Sequence, residues 1–133
     1  MKYCADTWFV LKLFKKDPKA LAILEDTTYG KARIVIPITV YAEATKKLMQ
    51  LGITILTLKS FLDYIEISRK VETVDANKSI AEEAAKISFS YRVPLIDSFV
   101  AATCKLTQCD ILLADDSDYE LLAKKKYLKV QLW

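Results

Sequence analysis

Short apolar runs alternate with longer stretches of helical spacing along almost the whole chain. This alternation is typical of a parallel α/β sheet, because parallel strands need a crossover connection that is usually a helix. In such a sheet, ligands bind beyond the carboxyl ends of the strands. The patterns predict strands at 2–5, 33–36, 110–113 and 127–132, and helices at 7–14, 17–28, 39–51, 54–69, 77–93, 97–106 and 118–125.

The chain has 133 residues, of which 53% are hydrophobic. This length can bury one core but is too short for two ordinary domains, and only two Gly and three Pro are present to form a linker. We therefore predict a single domain at 1–133. Asp6 lies where a secretory signal would need apolar residues, and no run approaches the ~18 apolar residues of a membrane helix. We expect a soluble, cytoplasmic protein.

The chain contains no histidine and three cysteines. Without histidine the usual general base is missing, which excludes a Ser-His-Asp triad, a Cys-His pair and a histidine-based nuclease. Cys4 and Cys104 lie within apolar segments, and Cys109 follows the second of these. An odd number of such cysteines predicts reduced core thiols and no disulfide framework. One loosely spaced pair without histidine also offers too few ligands for zinc.

Four acidic residues are candidates for a metal site. Asp6, Asp97 and Asp116 each follow a short apolar run, at the point where a helix is predicted to begin, and Glu43 lies within a predicted helix. If these points meet at one edge of the sheet, four carboxylates converge on one pocket. Their repulsion would raise their pKa values in the folded state, and a divalent cation would neutralise them. Ligands that are all oxygen select Mg²⁺ or Mn²⁺.

Each of these acids also has a simpler interpretation. Asp6 and Asp97 are both suited to be helix N-caps, a role that Asp often fills. For Asp6, a helix N-terminus would also keep the carboxylate ionised, so capping and metal binding are compatible. Glu43 lies off the apolar stripe of its helix and precedes Lys46 and Lys47 by three and four residues, so an exposed ion pair explains it equally simply.

An acidic turn follows the predicted strand 110–113. Asp115, Asp116 and Asp118 lie within four residues, and carboxylates so close repel unless a cation lies between them. Asp115 is therefore an alternative to Asp116 as a metal ligand. Asp118 is either a further ligand or the N-cap of the helix that follows.

The net charge of +3 is mild, but it is unevenly distributed if the acids gather in one pocket. The remaining surface would then be clearly positive, which suits a polyanionic substrate. Solvated helix faces and ends explain runs of lysine equally well. The basic clusters are Lys15/Lys16/Lys19, Lys46/Lys47, Arg69/Lys70 and Lys124/Lys125/Lys126.

In the order of its acidic motifs, the chain resembles the PIN-domain family and specifically the VapC-type toxin ribonucleases. The resemblance implies a three-layer α/β/α sandwich around a central parallel sheet, a Mg²⁺ or Mn²⁺ site, RNA as substrate, a homodimer and a small VapB-like antitoxin. The motifs that carry it are Asp6-Thr7, Glu43 within 40–44, Asp97 within 95–98, and Asp116 with Asp118 within 114–119.

Carried over to this chain, the resemblance makes Asp6, Glu43, Asp97 and Asp116 the metal-binding catalytic acids. Asp118 would be a supporting acid. The chain departs from the family pattern at two positions. Ala114 and Trp8 stand where family members often have a Thr, Ser or Asn side chain.

The predicted activity is hydrolysis of RNA by water that a metal ion activates. Two other classes of protein fit parts of the pattern. A receiver-like signalling domain also holds Mg²⁺ in an acidic pocket, but it carries a pair of acids after its first strand, where Asp6 stands alone. A PIN-like binding module without effective catalysis fits the loss of a hydroxyl at Ala114.

Overall fold

The computed structural model describes residues 1–68, 70–115 and 117–132 of the chain. Within these residues, five strands form one sheet in which all neighbours are parallel. The strands are β1 (Lys2–Ala5), β2 (Arg33–Pro37), β3 (Val71–Val74), β4 (Ile111–Ala114) and β5 (Val130–Leu132). Their order across the sheet is β3-β2-β1-β4-β5.

Helices connect the strands and cover both faces of the sheet. The helices of the described residues are α1 (Thr7–Phe14), α2 (Pro18–Thr28), α3 (Ile38–Gln50), α4 (Ile55–Ser68), α5 (Lys78–Tyr91), α6 (Leu95–Leu106) and α7 (Glu120–Lys124), with a 3₁₀ helix at Ser117–Tyr119. Because crossovers between parallel strands are right-handed, α1 to α4 cover one face and α5 to α7 the other. In agreement, α1 packs against α2 and α3, and α5 against α6. The predicted α/β/α sandwich is confirmed.

The central strands are apolar on both faces because helices cover both. Ile34, Val35 and Ile36 of β2 are all buried, and so are Leu112 and Leu113 of β4. Such continuous apolar runs are the pattern of a parallel sheet buried between two layers. The core therefore lies on both sides of β2, β1 and β4.

The strand order reverses beside β1. The chain leaves β1 toward β2 on one side, whereas β4 pairs with β1 on the other side. The backbone N–H of Asp6 continues this pairing by donating to the carbonyl of Leu113 at 3.1 Å. The carboxyl ends of β1 and β4 thus meet at the reversal, which is where ligands bind in open α/β sheets.

Most predicted elements are present, and the differences lie at their ends and at one strand. The edge strand β3 was not predicted, because its four residues include Glu72 and Thr73 and carry no apolar run. Helix α6 begins at Leu95 and not at Asp97, and β5 begins at Val130 and not at residue 127. None of the helices in the described part of the chain is long and apolar enough to cross a membrane.

Candidate functional site

Three of the predicted acids lie around one cleft at the carboxyl edge of the sheet. Asp6 follows β1, Glu43 lies in α3 and Asp97 lies in the first turn of α6. These residues are far apart in sequence and belong to three different connections, those between β1 and β2, β2 and β3, and β3 and β4. The cleft is lined by Asp6, Thr7, Trp8, Thr39, Val40, Glu43, Ile96, Asp97, Val100 and Tyr119.

Asp6 is the deepest of the three acids, with only 4% of its surface exposed. It is the N-cap of α1, as predicted, and Phe9 N–H donates to its Oδ1 at 3.1 Å. Asp115 N–H, just beyond β4, donates to its Oδ2 at 3.2 Å. Burial raises the pKa of Asp6 to about 7, against the lowering effect of these hydrogen bonds. Repulsion between the acids was expected to raise this pKa, but desolvation is the larger cause.

Glu43 is half-buried and faces the cleft from α3. The predicted ion pair is present, since Lys47 Nζ lies 3.6 Å from Glu43 Oε1. Lys47 also lies over the indole ring of Trp8, 5.1 Å from its centroid. Glu43 therefore both forms the ion pair and lines the cleft. Lys47 and Trp8 place a positive charge and an aromatic ring beside the acids.

Asp97 does not cap its helix, which corrects one of the two sequence-based interpretations. The N-cap of α6 is Pro94, which has no side-chain capping bond, so Asp97 falls within the first helical turn. Its neighbours Leu95 and Ile96 are about half exposed. Tyr119 Oη donates to Asp97 Oδ1 at 3.4 Å. A helix N-terminus also favours a negative charge at this position.

Thr39 was not identified from the sequence, yet it carries the clearest sign of a missing ligand. Its hydroxyl oxygen is buried, and among the described residues it is the only buried side-chain polar atom without a hydrogen-bond partner. Thr39 lines the same cleft as the three acids. An unsatisfied buried hydroxyl costs about 1–3 kcal/mol, so a bound water or ion at this point would remove a penalty. No residue spacing indicates this, because the cost depends on what surrounds the side chain.

The acidic turn after β4 is described only in part. Asp116 lies outside them, so its predicted place is not described. Asp115 reaches Asp6 through its backbone N–H, while Asp115 itself and Asp118 are exposed. One alternative made Asp118 the N-cap of the helix that follows, but Asp118 lies in the 3₁₀ helix. The N-cap of α7 is Tyr119, which makes no side-chain capping hydrogen bond.

The predicted basic clusters mostly lie away from the cleft. Lys47 of α3 is beside it, but Lys15 and Lys16 follow the end of α1, and Lys70 directly precedes β3. Lys124 is the last residue of α7, and Lys125 and Lys126 follow it. Strands β3 and β5 begin at the amino edge of the sheet, so Lys70 and Lys126 come just before that edge. Lysines at helix C-termini are favoured by the helix dipole. Arg69 lies outside the described residues.

The donor set fits a small, hard cation better than a soft one. It consists of carboxylate oxygens and a hydroxyl, which suit Mg²⁺ or Mn²⁺. The enclosed space is about 20 Å³, which is room for an ion or a water molecule and not for a nucleotide. No acidic trio within the described residues has its oxygens inside 4.8 Å of one another, so the carboxylates line the cleft without closing on a single point.

Comparison with known proteins identifies the family of the chain. The family model of the PIN domain matches residues 3–125. The chain belongs to the PIN domain family. No curated protein matches this PIN domain significantly.

Several solved structures share the fold of this PIN domain. A toxin-antitoxin complex from Klebsiella pneumoniae is 17% identical, with a TM-score of 0.69 over 88% of this chain and 89% of that chain. VapBC2 from Rickettsia felis, bound to a DNA fragment from its promoter, is 16% identical with a TM-score of 0.74 over 100% and 99%. VapBC-1 from nontypeable Haemophilus influenzae is 20% identical with a TM-score of 0.65 over 100% and 98%. At these identities the likeness shows a common fold.

Proposed function

We propose that this single PIN domain is a metal-dependent endoribonuclease that acts in the cytoplasm as the toxin of a toxin-antitoxin pair. The observation that carries the proposal is the cleft itself, where buried Asp6 and the unpartnered hydroxyl of Thr39 face Glu43 and Asp97. A fold without a ligand at this point would leave a desolvated acid and an unsatisfied hydroxyl side by side, at a cost in stability.

In this proposal Asp6, Glu43, Asp97 and Asp116 hold Mg²⁺ or Mn²⁺. Asp115 is the alternative to Asp116, and Asp118 supports the site from the rim. When bound, the metal would coordinate a phosphate oxygen, lower the pKa of a water molecule and stabilise the leaving 3′ oxygen.

The protein's own residues have separate tasks around that centre. Asp6 is fixed by two backbone N–H groups at 3.1 and 3.2 Å, so its carboxylate is held in one orientation before the ligand arrives. Thr39 offers its free hydroxyl to a water molecule, which would orient that water toward the scissile phosphate. Lys47, at the mouth of the cleft, offers a positive charge to a substrate phosphate.

RNA is the proposed substrate because the rim of the cleft suits a flexible single strand. Trp8 is 38% exposed at the edge of the cleft, and an exposed indole is a platform on which an unpaired base can stack. With water as nucleophile, the products carry a 5′-phosphate and a 3′-hydroxyl, and the RNA 2′-OH takes no part in the chemistry.

A protein partner is supported by exposed apolar side chains on α4. Leu56, Tyr64 and Ile67 are 76%, 60% and 85% exposed, and their spacing of eight and three residues places them on one side of the helix, which they share with the exposed polar residues Ser60 and Asp63. Large apolar side chains grouped at the surface in this way favour an interaction surface. The similar solved structures contain toxin-antitoxin complexes, so we propose a small VapB-like antitoxin and a second copy of this chain as partners.

The two other functions make different predictions for the same experiment. A receiver-like domain would accept phosphate on Asp6, which lacks the second acid of such a site. A PIN-like binding module would bind RNA without cutting it. This alternative is favoured by Ala114 at the end of β4, which has no hydroxyl group. Only the nuclease proposal requires cleavage that depends on metal.

The decisive experiment incubates purified protein with end-labelled RNA, with Mg²⁺ and with EDTA. We expect cleavage with Mg²⁺ only, and at least about 100-fold slower cleavage by Asp97→Asn, since loss of one group that stabilises transition-state charge typically costs 10²–10³. Asp26→Asn is the matched control, because Asp26 is exposed near the end of α2, at the amino edge. RNA binding without cleavage favours the binding module, and a 2′,3′-cyclic phosphate product rules out the water mechanism.

A further inference from the structure

A second cluster of metal-binding side chains lies between β1 and the C-terminal end of α6, on residues that do not line the acidic cleft. The sulfur atoms of Cys4, Cys104 and Cys109 all lie within 4.8 Å of one another. Among the described residues this is the only trio of cysteine, histidine or acidic ligand atoms so close together. None of the three cysteines is in a disulfide.

The end of α6 brings two of these thiols into contact. Gln108 adopts a left-handed conformation with φ of 58° just after the C-cap Thr107. Gln108 N–H donates to the carbonyl of Lys105 at 3.1 Å, and Cys109 N–H donates to the carbonyl of Cys104 at 3.0 Å. This is a Schellman motif, in which the side chains at the positions of Cys104 and Cys109 touch.

The sheet supplies the third thiol. Cys4 lies in β1 beneath α6, where its Sγ is 3.8 Å from the carbonyl oxygen of Val100. The pairing of β1 with β4 fixes the height of Cys4 in the sheet, opposite Leu112. The trio is therefore held by a helix cap and a strand register, and the sequence-based count of one loosely spaced pair did not foresee it.

The geometry suits a soft ion with three sulfur ligands. A metal–sulfur bond of about 2.3 Å, as for zinc, places three coplanar sulfurs about 4 Å apart, which lies inside the observed 4.8 Å limit. Thiolates select Cu(I) and zinc, but structural zinc takes four strong ligands. The nearest further groups are neutral oxygens, the Val100 carbonyl and the Thr107 hydroxyl 3.2 Å from Cys109 Sγ.

We propose that Cys4, Cys104 and Cys109 form a three-coordinate binding site for the thiophilic monovalent ion Cu(I). When Cu(I) binds, it would displace the protons of the three thiols, and these protons would pass to solvent. The resulting complex would carry a net negative charge. Lys2, whose Nζ donates to the Thr107 carbonyl at 2.6 Å, and Lys105, which follows Cys104, stand close enough to offset that charge.

The ion has a route into the site. Cys4 and Cys104 are buried, whereas Cys109 is half-buried. Cys104 and Cys109 both line an open cavity at the amino edge, together with Met1, Lys105 and Tyr127. An ion could reach Cys109 from this cavity without opening the core. The two proposed metal sites then select different ions, because one offers only oxygen and the other only sulfur.

The test is an anaerobic titration of the fully reduced protein with Cu(I) held by a competing chromophoric chelator. We expect one equivalent of Cu(I) to bind with thiolate-to-metal charge-transfer absorption, and X-ray absorption to show three sulfur neighbours. Cys109→Ser should weaken binding by about 100-fold or more, since even outer-shell losses cost 10–100-fold. Thr107→Val is the matched control, because it removes the hydroxyl beside Cys109 and leaves all three sulfurs.

Cys109 is the first choice for substitution because a half-buried serine is compatible with folding. Circular dichroism checks the fold of each variant, and Cys4→Ser serves as a second variant if it folds. Equal Cu(I) affinity of wild type and Cys109→Ser would overturn the site. A zinc complex that Cu(I) does not displace, or a copper site with two sulfur neighbours, would overturn the three-coordinate Cu(I) assignment.

Discussion

Replacing Asp6 with asparagine should stabilise the metal-free protein at alkaline pH, and most of this stabilisation should disappear at mildly acidic pH. Burial raises the pKa of Asp6 from 3.8 to about 7, a difference equivalent to about 4 kcal/mol. Because the folded pKa lies above the unfolded one, ionised Asp6 destabilises the folded protein above about pH 7. This penalty decreases as the pH falls from about 7 toward about 4.

The Asp6→Asn substitution would remove that penalty and keep most of the local structure. Asparagine is as good an N-cap as aspartate, so the bond from Phe9 N–H can remain. Its single oxygen cannot also accept from Asp115 N–H, a loss of about 1 kcal/mol. Without metal we therefore expect Asp6→Asn to be about 2–3 kcal/mol more stable than wild type at pH 8. At pH 5 about 1.6 kcal/mol of the penalty remains, which the lost hydrogen bond roughly offsets, so the two proteins should be about equally stable.

We would measure the free energy of unfolding of wild type and Asp6→Asn by urea unfolding, followed by far-UV circular dichroism. The measurements are made in EDTA at pH 8 and at pH 5. Asp17→Asn is the matched control, because Asp17 caps α2 through Ala20 N–H at 3.1 Å but is only half-buried. Its substitution should change stability little at either pH. Mg²⁺ at 100 times its Kd should stabilise the wild type by about 2.7 kcal/mol and the Asp6→Asn variant by less. If Asp6→Asn is destabilising by the same amount at both pH values, the buried-charge explanation is wrong.

Three further predictions concern the same cleft. Thr39→Val should leave the free energy of unfolding unchanged or raise it by about 1 kcal/mol, because it removes an unsatisfied hydroxyl. The same substitution should slow RNA cleavage. A clear loss of stability in urea unfolding would show that the hydroxyl has a structural partner. Trp8→Ala should weaken single-stranded RNA binding by about 1–3 kcal/mol in fluorescence anisotropy, as expected for one lost stacking platform, and unchanged affinity would remove Trp8 from the substrate path. Asp116→Asn should slow cleavage much more than Asp115→Asn in the end-labelled RNA assay, and the opposite order would make Asp115 the ligand.

Local sequence determined the helices, most of the strands and the capping role of Asp6. These features depend on neighbours within a few residues, such as the spacing of apolar side chains and the hydrogen bond from Phe9 N–H to Asp6. The same local signals predicted the ion pair of Glu43 with Lys47. The order of the acidic motifs also indicated the PIN domain family, which the family model confirms.

Tertiary structure alone decided which side chains meet. The short edge strand β3 is held by pairing with β2 and has no apolar pattern of its own. Asp97 was expected to cap α6, but Pro94 begins that helix earlier in the chain. The unpartnered hydroxyl of Thr39 and the contact of Cys4 with Cys109 depend on strand register and helix packing between residues far apart in the chain. Such contacts are not encoded in local spacing, because parallel strands meet only after a helix has crossed the sheet.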